Sequence, residues 1–302
     1  MNKKKYVNRN YLTTTRIIAL GFLITVIVGT ILLSLPIASA NGTWTDLLTA
    51  AFTSTTSVCV TGLVVVDTFS YWSLFGKGVI LILIQIGGLG IVSIITLFML
   101  LLRMKITLKS TMLLQDAFNL NSKQGLLKFT IKVIKGTFLI EGIGALIYSF
   151  YYCREYGFLK GIWFSVFHAV SAFCNAGIDI MGADSLISYH SNLLMMLNTS
   201  FLIIMGGIGF IVWWDTVEAF RRIRTKRCSI RSAWNGVHLQ TKIAIFMTLL
   251  LLIGGTIVIY FLERSNPDTL GNLSEKDRIL NAFFQSVTFR TAGFAAVSQV
   301  AL

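Results

Sequence analysis

The feature that most constrains this chain is a short pattern that occurs three times. Residues 51–63, 167–178 and 283–294 each carry a Phe (Phe52, Phe167, Phe283) ten residues ahead of a glycine (Gly62, Gly177, Gly293). Small or polar residues lead into that glycine, and an apolar residue (Leu63, Ile178, Phe294) follows it. The three glycines stand 115 and 116 residues apart, a period too even for chance. The flanks repeat as well. Gln85-Ile86-Gly87-Gly88-Leu89-Gly90 answers Ile204-Met205-Gly206-Gly207-Ile208-Gly209. The chain is therefore a tandem of one supersecondary unit.

Composition decides the solvent in which that unit folds. Hydrophobic residues make up 55% and charged residues only 13%, where a soluble domain carries about a quarter charged. Apolar runs predict long helices at about 15–38, 77–102, 130–152, 192–217 and 241–262, each near the roughly 20 residues a bilayer requires. The repeated segments predict short helices at about 44–57, 160–173 and 277–288. At about 1.5 Å per residue these cannot span, so they read as re-entrant. Irregular backbone at membrane depth is tolerated only where protein buries it or water reaches it. A glycine loop after a re-entrant helix is thus expected to line a pore. The first run, from Ile17 to Ala38, follows a basic start but is too long for a signal peptide's apolar region, and reads as a retained helix.

The expected fold is an all-α integral membrane protein of repeated helix, pore helix, filter loop and helix units around a central pore, truncated in the third unit. The boundaries are a cytoplasmic N-terminus at 1–14, repeat one at 15–103, a cytoplasmic linker at 104–127, repeat two at 128–220, a second linker at 221–238, and an incomplete repeat three at 239–302.

Charge follows the same plan. The net charge is +13, and 19 of the 26 basic residues fall in three clusters flanking spans. These are Lys3 to Arg16, Arg103 to Lys135 and Arg221 to Lys242. Such clustering is the positive-inside pattern, which puts the N-terminus in the cytoplasm, and it also suits anionic lipid. No recognition motif accompanies the charge, so nucleic acid is not an expected partner. Nine of the thirteen acids, Asp46, Asp67, Glu155, Asp179, Asp184, Glu263, Asp268, Glu275 and Asp277, fall outside. They form either an acidic vestibule or ordinary solvated loops.

No nucleophile triad, carboxylate dyad or metal constellation is apparent, and an enzyme is not expected. Cys59, Cys153, Cys174 and Cys228 lack disulfide or zinc spacing. Cys59 and Cys174 read as small buried residues, and His168 as a packed aromatic. The Gly87/Gly88/Gly90 and Gly206/Gly207/Gly209 clusters suit close helix packing, with a hinge the weaker reading. Glu141 lies in an apolar run, where an ionisable group is costly and functional by default; a protonated carboxyl bonded to its own helix is the alternative. Arg290 would repel a cation if it faced the path. It is expected behind the loop, bonded to supporting carbonyls or to Glu141.

The three motifs in order carry a resemblance. Asn281 to Thr288 followed by Arg290-Thr291-Ala292-Gly293-Phe294, together with Thr56 to Leu63 and Ala172 to Gly177, resemble the filter segments of the Trk/Ktr/HKT superfamily of potassium transporters, nearest its KtrB-like membrane subunit. The resemblance covers essentially the whole chain. It implies four repeats around one pore, each giving a quarter of a potassium filter. The filter residues would be Val60, Thr61 and Gly62; Asn175, Ala176 and Gly177; and Thr291, Ala292 and Gly293, with Arg290 and Glu141 in support. Elementary chemistry agrees. Carbonyl rings that replace a potassium ion's hydration shell need glycine dihedrals and no carboxylate, and these loops have none. Short helices ending at the loops would add the partial negative charge of their C-termini.

The resemblance further implies potassium as substrate, sodium as regulator or co-ion, and no covalently bound cofactor. It implies a homodimer in the plasma membrane, seated on a cytoplasmic nucleotide-binding regulatory ring of the KtrA/KtrC kind. The family's gate lies on a third inner helix, and no residue here can be assigned to it. Two other readings stand beside the channel: an ion-coupled cation symporter with a carrier cycle, and a non-conducting fragment of such a transporter.

Overall fold

The computed structural model describes residues 14–90, 93–94, 96, 126–182, 185–226, 229–298 and 301. The N-terminus expected over 1–14 and the linker over 104–127 therefore lie almost wholly outside the described residues. So do Asp184, Arg227, Cys228 and most of the expected helix beyond residue 90.

Every regular element among the described residues is helical, with one isolated bridge between Ser39 and Trp72. Repeat one contains α1 (Thr14–Ser34), α2 (Leu47–Cys59), the single turn α3 (Thr68–Tyr71) and α4 (Leu74–Leu89). Repeat two contains α5 (Leu126–Tyr156), α6 (Phe158–Cys174), α7 (Leu193–Gly207) and α8 (Phe210–Lys226). A short α9 (Ile230–Asn235) leads to repeat three, with α10 (Leu239–Glu263) and α11 (Glu275–Thr288). Segments of α1, α5 and α10 are each long and apolar enough to cross a membrane, and the bent pair α7–α8 passes the same criterion together. Helices α2 and α6 are apolar but short, as expected of re-entrant segments.

Local signals explain the starts. Asp46 caps α2 by accepting from the amides of Leu48 and Thr49 at 3.1 and 3.3 Å. Ser73, Asn192 and Ser274 cap α4, α7 and α11 in the same manner, each satisfying an amide the first turn leaves unpaired.

The helices pack where small residues admit a neighbour. Ser54 Oγ on α2 donates to Val26 O on α1 at 2.8 Å, beside Gly29. Ser286 Oγ on α11 donates to Leu252 O on α10 at 3.0 Å, beside Gly255. Helix α4 is wedged between two short helices. A Cβ on Gly87 would stand 2.2 Å from Val58 O of α2, and one on Gly88 2.3 Å from Cys174 Sγ of α6. Close packing is thus the role of Gly87 and Gly88, and of Gly206, where a Cβ would stand 1.6 Å from Phe173 O; Gly90 and Gly209, at φ +77° and +95° with open space around them, do not pack in this way. The interior is aromatic and small, with Trp72, Tyr148, Tyr152, Phe167, Phe284 and Phe294 enclosed. Leu, Ile and Phe residues of α1 and α10 face outward. An apolar exterior of this extent is the mark of a membrane protein.

One expectation is corrected. The long helix read over 192–217 is two helices, α7 and α8, bent by 100°. Gly209 has φ +95°, outside helical geometry. The turn is braced by Trp213, whose Nε1 donates to Met205 O across it at 2.8 Å. Periodicity could not reveal the break, because both halves are apolar near the junction.

Candidate functional site: three converging glycine loops

The loops that follow α2, α6 and α11 share one backbone design. The residue two ahead of each glycine has positive φ: Val60 +56°, Asn175 +59° and Thr291 +116°. The glycines themselves have φ +78°, +64° and +79° at Gly62, Gly177 and Gly293. Val and Thr are β-branched and strongly resist this region. Strain of that kind persists only where surrounding structure over-determines it, and it concentrates at working sites.

Each loop is tied to its helix twice. The amides of Thr61, Ala176 and Ala292 donate to Thr56 O, Ser171 O and Thr288 O at 3.0, 2.8 and 2.9 Å. The hydroxyls of those same three residues then hold the position just past the glycine. Thr56 Oγ1 accepts from Leu63 N at 3.0 Å and is paired with Thr61 Oγ1. Ser171 Oγ donates to Ile178 O, and Thr288 Oγ1 donates to Phe294 O at 2.8 Å. Sequence reasoning did not single out these hydroxyls. The signal was present: a Thr or Ser stands five or six residues ahead of every repeated glycine.

The three loops meet. A Cβ added to Gly62 would lie 2.7 Å from Ala176 O, and one added to Gly177 would lie 2.1 Å from Ala292 O. One added to Gly293 would lie 3.3 Å from Gly177 Cα and 3.9 Å from Gly62 Cα. The glycines are thus required twice, for their dihedrals and for the approach of a neighbouring loop. Among the described residues, no carbonyl of residues 60–62, 175–177 or 291–293 accepts a hydrogen bond.

Behind the second loop, Glu141 on α5 is nearly enclosed and accepts from Gln85 Nε2 on α4 at 3.0 and 3.3 Å. Cys174 Sγ, at the end of α6, lies 4.0 Å from Glu141 Oε1. Glu141 therefore joins repeat one to the base of loop two. Its partner Gln85 was legible only as a polar residue inside an apolar run. The structure does not bring Arg290 to Glu141. Among the described residues no hydrogen bond or ion pair joins them, and Arg290 Nε is enclosed without a partner.

His168 is fully enclosed against Tyr148, Tyr152 and Phe294, with ring centroids 5.7, 5.7 and 5.3 Å away, and packs as an aromatic. Cys174 is buried, but Cys59 is exposed. Val58, one residue earlier on α2, takes the inward face against α4, and a step of one residue turns the next side chain about 100° away. Among the described residues no group of three or more His, Cys, Asp or Glu converges as a metal site.

The acids expected on the outer side are largely engaged in local structure. Asp46 and Asp67 cap helices, Glu275 pairs with Arg278 at 2.9 Å, and Glu263 accepts from Thr269 and Asn266 at 2.7 and 2.8 Å. At those positions the solvated-loop reading is the better supported. Asp67 has its carboxyl held below the usual range. Burial pushes it up, but the Ser70 hydroxyl, the amides of Phe69 and Ser70, and Lys77 together outweigh that.

Comparison with known proteins gives a consistent picture. The profile of the TrkH family, described as a cation transport protein, matches residues 3–302. The chain is 41% identical over 289 residues to the potassium/sodium uptake protein NtpJ of Enterococcus hirae, covering 96% of this chain and 61% of that protein. It is 39% identical over 295 residues to the Ktr system potassium uptake protein B of Bacillus subtilis, covering 97% and 63%. The Ktr system potassium uptake protein B of Vibrio alginolyticus is 34% identical over 282 residues, covering 93% and 59%. The chain thus spans less than two thirds of the length of these curated relatives.

Proposed function

This chain is a member of the TrkH family of cation transport proteins, and from that premise we propose that it forms the ion-translocating part of a potassium uptake system. The observation that carries the reading is the set of unpaired carbonyls at residues 60–62, 175–177 and 291–293, on three loops that meet. Carbonyls left free on converging loops are available to a cation, and a dehydrated potassium ion takes such oxygens in place of water. The positive-φ residues aim the carbonyls, the hydroxyls of Thr56, Ser171 and Thr288 hold the loops, and Glu141 with Gln85 stiffens the base of the second. Arg290 supports the third loop from behind. The C-terminal ends of α2, α6 and α11 add partial negative charge near the path. Selectivity in this scheme comes from backbone geometry, with no acidic ring.

The rest of the system follows the relatives. Ktr system names imply further subunits, and a homodimer on a cytoplasmic nucleotide-binding ring is the arrangement proposed. The exposed basic residues Arg221, Arg224 and Arg231 on α8 and α9 would face that ring or anionic lipid. The N-terminus would be cytoplasmic and the membrane the plasma membrane. Sodium would act as regulator or co-ion.

The test is rubidium uptake in cells lacking their own potassium importers. This chain is expressed beside a version continued with the C-terminal remainder of the Enterococcus hirae relative, with Gly177→Ser in each. Uptake by the continued chain, with rubidium-over-sodium discrimination falling roughly tenfold in Gly177→Ser, is expected. If both forms reach the membrane and neither takes up rubidium, the potassium reading fails. Saturable uptake at a fixed sodium-to-potassium ratio would replace the channel with a carrier cycle.

A further inference from the structure

The side chain of Asn175 does something its backbone does not require. In the amide orientation that satisfies both of its ends, Nδ2 donates to Ile203 O and Oδ1 accepts from Gly207 N, each at 3.2 Å. Those two groups belong to α7 and are four residues apart, so they are the two ends of a single rung of the helical ladder. A side chain inserted at such a rung is a recognised cause of helix bending. The rung lies immediately before Gly209 and the 100° turn into α8.

Two further contacts fix the same junction to the second loop. Gly206 approaches so closely that a Cβ there would stand 1.6 Å from Phe173 O. The Phe173 ring packs edge-on against Trp213 of α8 at 5.6 Å, and Trp213 is the residue that braces the turn. Beside the bend lies a cavity of about 400 Å³ lined by Met205, Ile208, Val212, Trp213 and Val217, which gives α8 room to shift. The far side of α8 is latched to the next repeat. Asp215 accepts from Thr241 Oγ1 at 2.6 Å and pairs with His238 Nδ1 at 2.8 Å.

We propose that Asn175 is a positioning residue linking the second loop to the bend between α7 and α8, so that movement of α8 alters the loop that selects the ion. The consequence for ion discrimination rests on the function proposed above; the link itself does not. The left-handed backbone at position 175 needs only a residue that tolerates positive φ. The two amide bonds need asparagine.

That separation makes the test clean. Asn175→Gly keeps the backbone conformation and deletes only the amide. The first readout is hydrogen exchange, on the purified chain in nanodiscs, of peptides covering 203–212. Asn175→Gly is expected to raise exchange there about tenfold relative to the parent, the worth of a hydrogen bond of ordinary strength. Unchanged exchange overturns the link whether or not the chain transports anything. The second readout is rubidium-over-sodium discrimination in the continued chain, for Asn175→Gly, Gly209→Ala and the double variant. A fall of about tenfold in each single variant, with the double no worse than either, is expected of one shared element. Additive losses, or a loss confined to maximal rate with discrimination intact, overturn it. Loss of discrimination in Gly177→Ser with none in Asn175→Gly would leave the filter reading standing and remove this inference alone.

Discussion

The first and second loops are built to one backbone plan and fastened by different chemistry. Two residues before the glycine, Val60 and Asn175 occupy the left-handed region at nearly the same φ, +56° and +59°. Behind each, an inner-helix glycine, Gly87 or Gly206, meets a carbonyl of the short helix, Val58 O or Phe173 O. At this point the two diverge. A Cβ on Gly87 would meet a methyl of Val60 at 2.9 Å, an apolar contact without direction. Asn175 reaches α7 with two directed hydrogen bonds. The first unit accepts a β-branched residue where such residues are strained, whereas the second places there one of the few non-glycine residues that tolerate the geometry. The common backbone defines the unit. The side chain at this one position is left to determine how firmly loop and helix move together.

The comparison is broken most readily at the inner helices. A methyl at position 206 would lie 1.6 Å from a carbonyl and one at position 87 2.2 Å. Gly206→Ala is therefore expected to cost about 3 kcal/mol or prevent folding, and Gly87→Ala somewhat less. Thermal unfolding of the purified proteins would show it; the reverse ranking would mean the second unit is not the tighter one.

The next largest effect is at the loop glycines, where the approaches of 2.1, 2.7 and 3.3 Å predict an order. Gly177→Ala should lower stability by about 2–3 kcal/mol and impair discrimination most, with Gly62→Ala next and Gly293→Ala least. Equal effects would show that dihedral strain outweighs contact between loops.

Removing the hydroxyl by Ser171→Ala or Thr288→Val should cost about 1 kcal/mol each, since each deletes a single bond, and Thr56→Val, which deletes two, about 2 kcal/mol. A cost several times larger at one site would identify the loop on which the others depend.

The smallest effect concerns the single-turn helix α3, which an acid caps in the first unit. Because the Asp67 carboxyl is held low, its cap on α3 contributes stability above the ordinary carboxylate value of about 3.9. That contribution is lost only as pH falls through its own lower value. Exchange of the Phe69 and Ser70 amides should stay slow until then and be fast at all pH in Asp67→Ala, which removes the accepting oxygen. The turn at Ile187–Tyr189 in the second unit has no such side-chain cap and should show no matching transition.

Much of this architecture was legible beforehand because it rests on local rules. Apolar runs located the long helices, length separated the short ones from spans, and the period of the glycines located the three loops. The errors share another character. The break at Gly209 escaped because a bend leaves hydrophobicity unchanged. Of the partners expected for Arg290, supporting carbonyls or Glu141, the acid is engaged instead by a neutral amide, Gln85. Cys59 was read as buried because its neighbours are, although helical rotation turns it outward.

The sequence by itself determined the solvent, the repeat and the three glycines on which the loops turn, because each depends on residue type and spacing along the chain; that Val60 and Thr291 also take positive φ did not follow from residue type. Which atoms meet between distant helices was decided only by the tertiary structure. Gln85 and Glu141 are 56 residues apart, and Asn175 finds Ile203 and Gly207 about 30 residues away. A hydrogen bond depends on direction and on distances of about 3 Å, and neither can be read until the helices are packed.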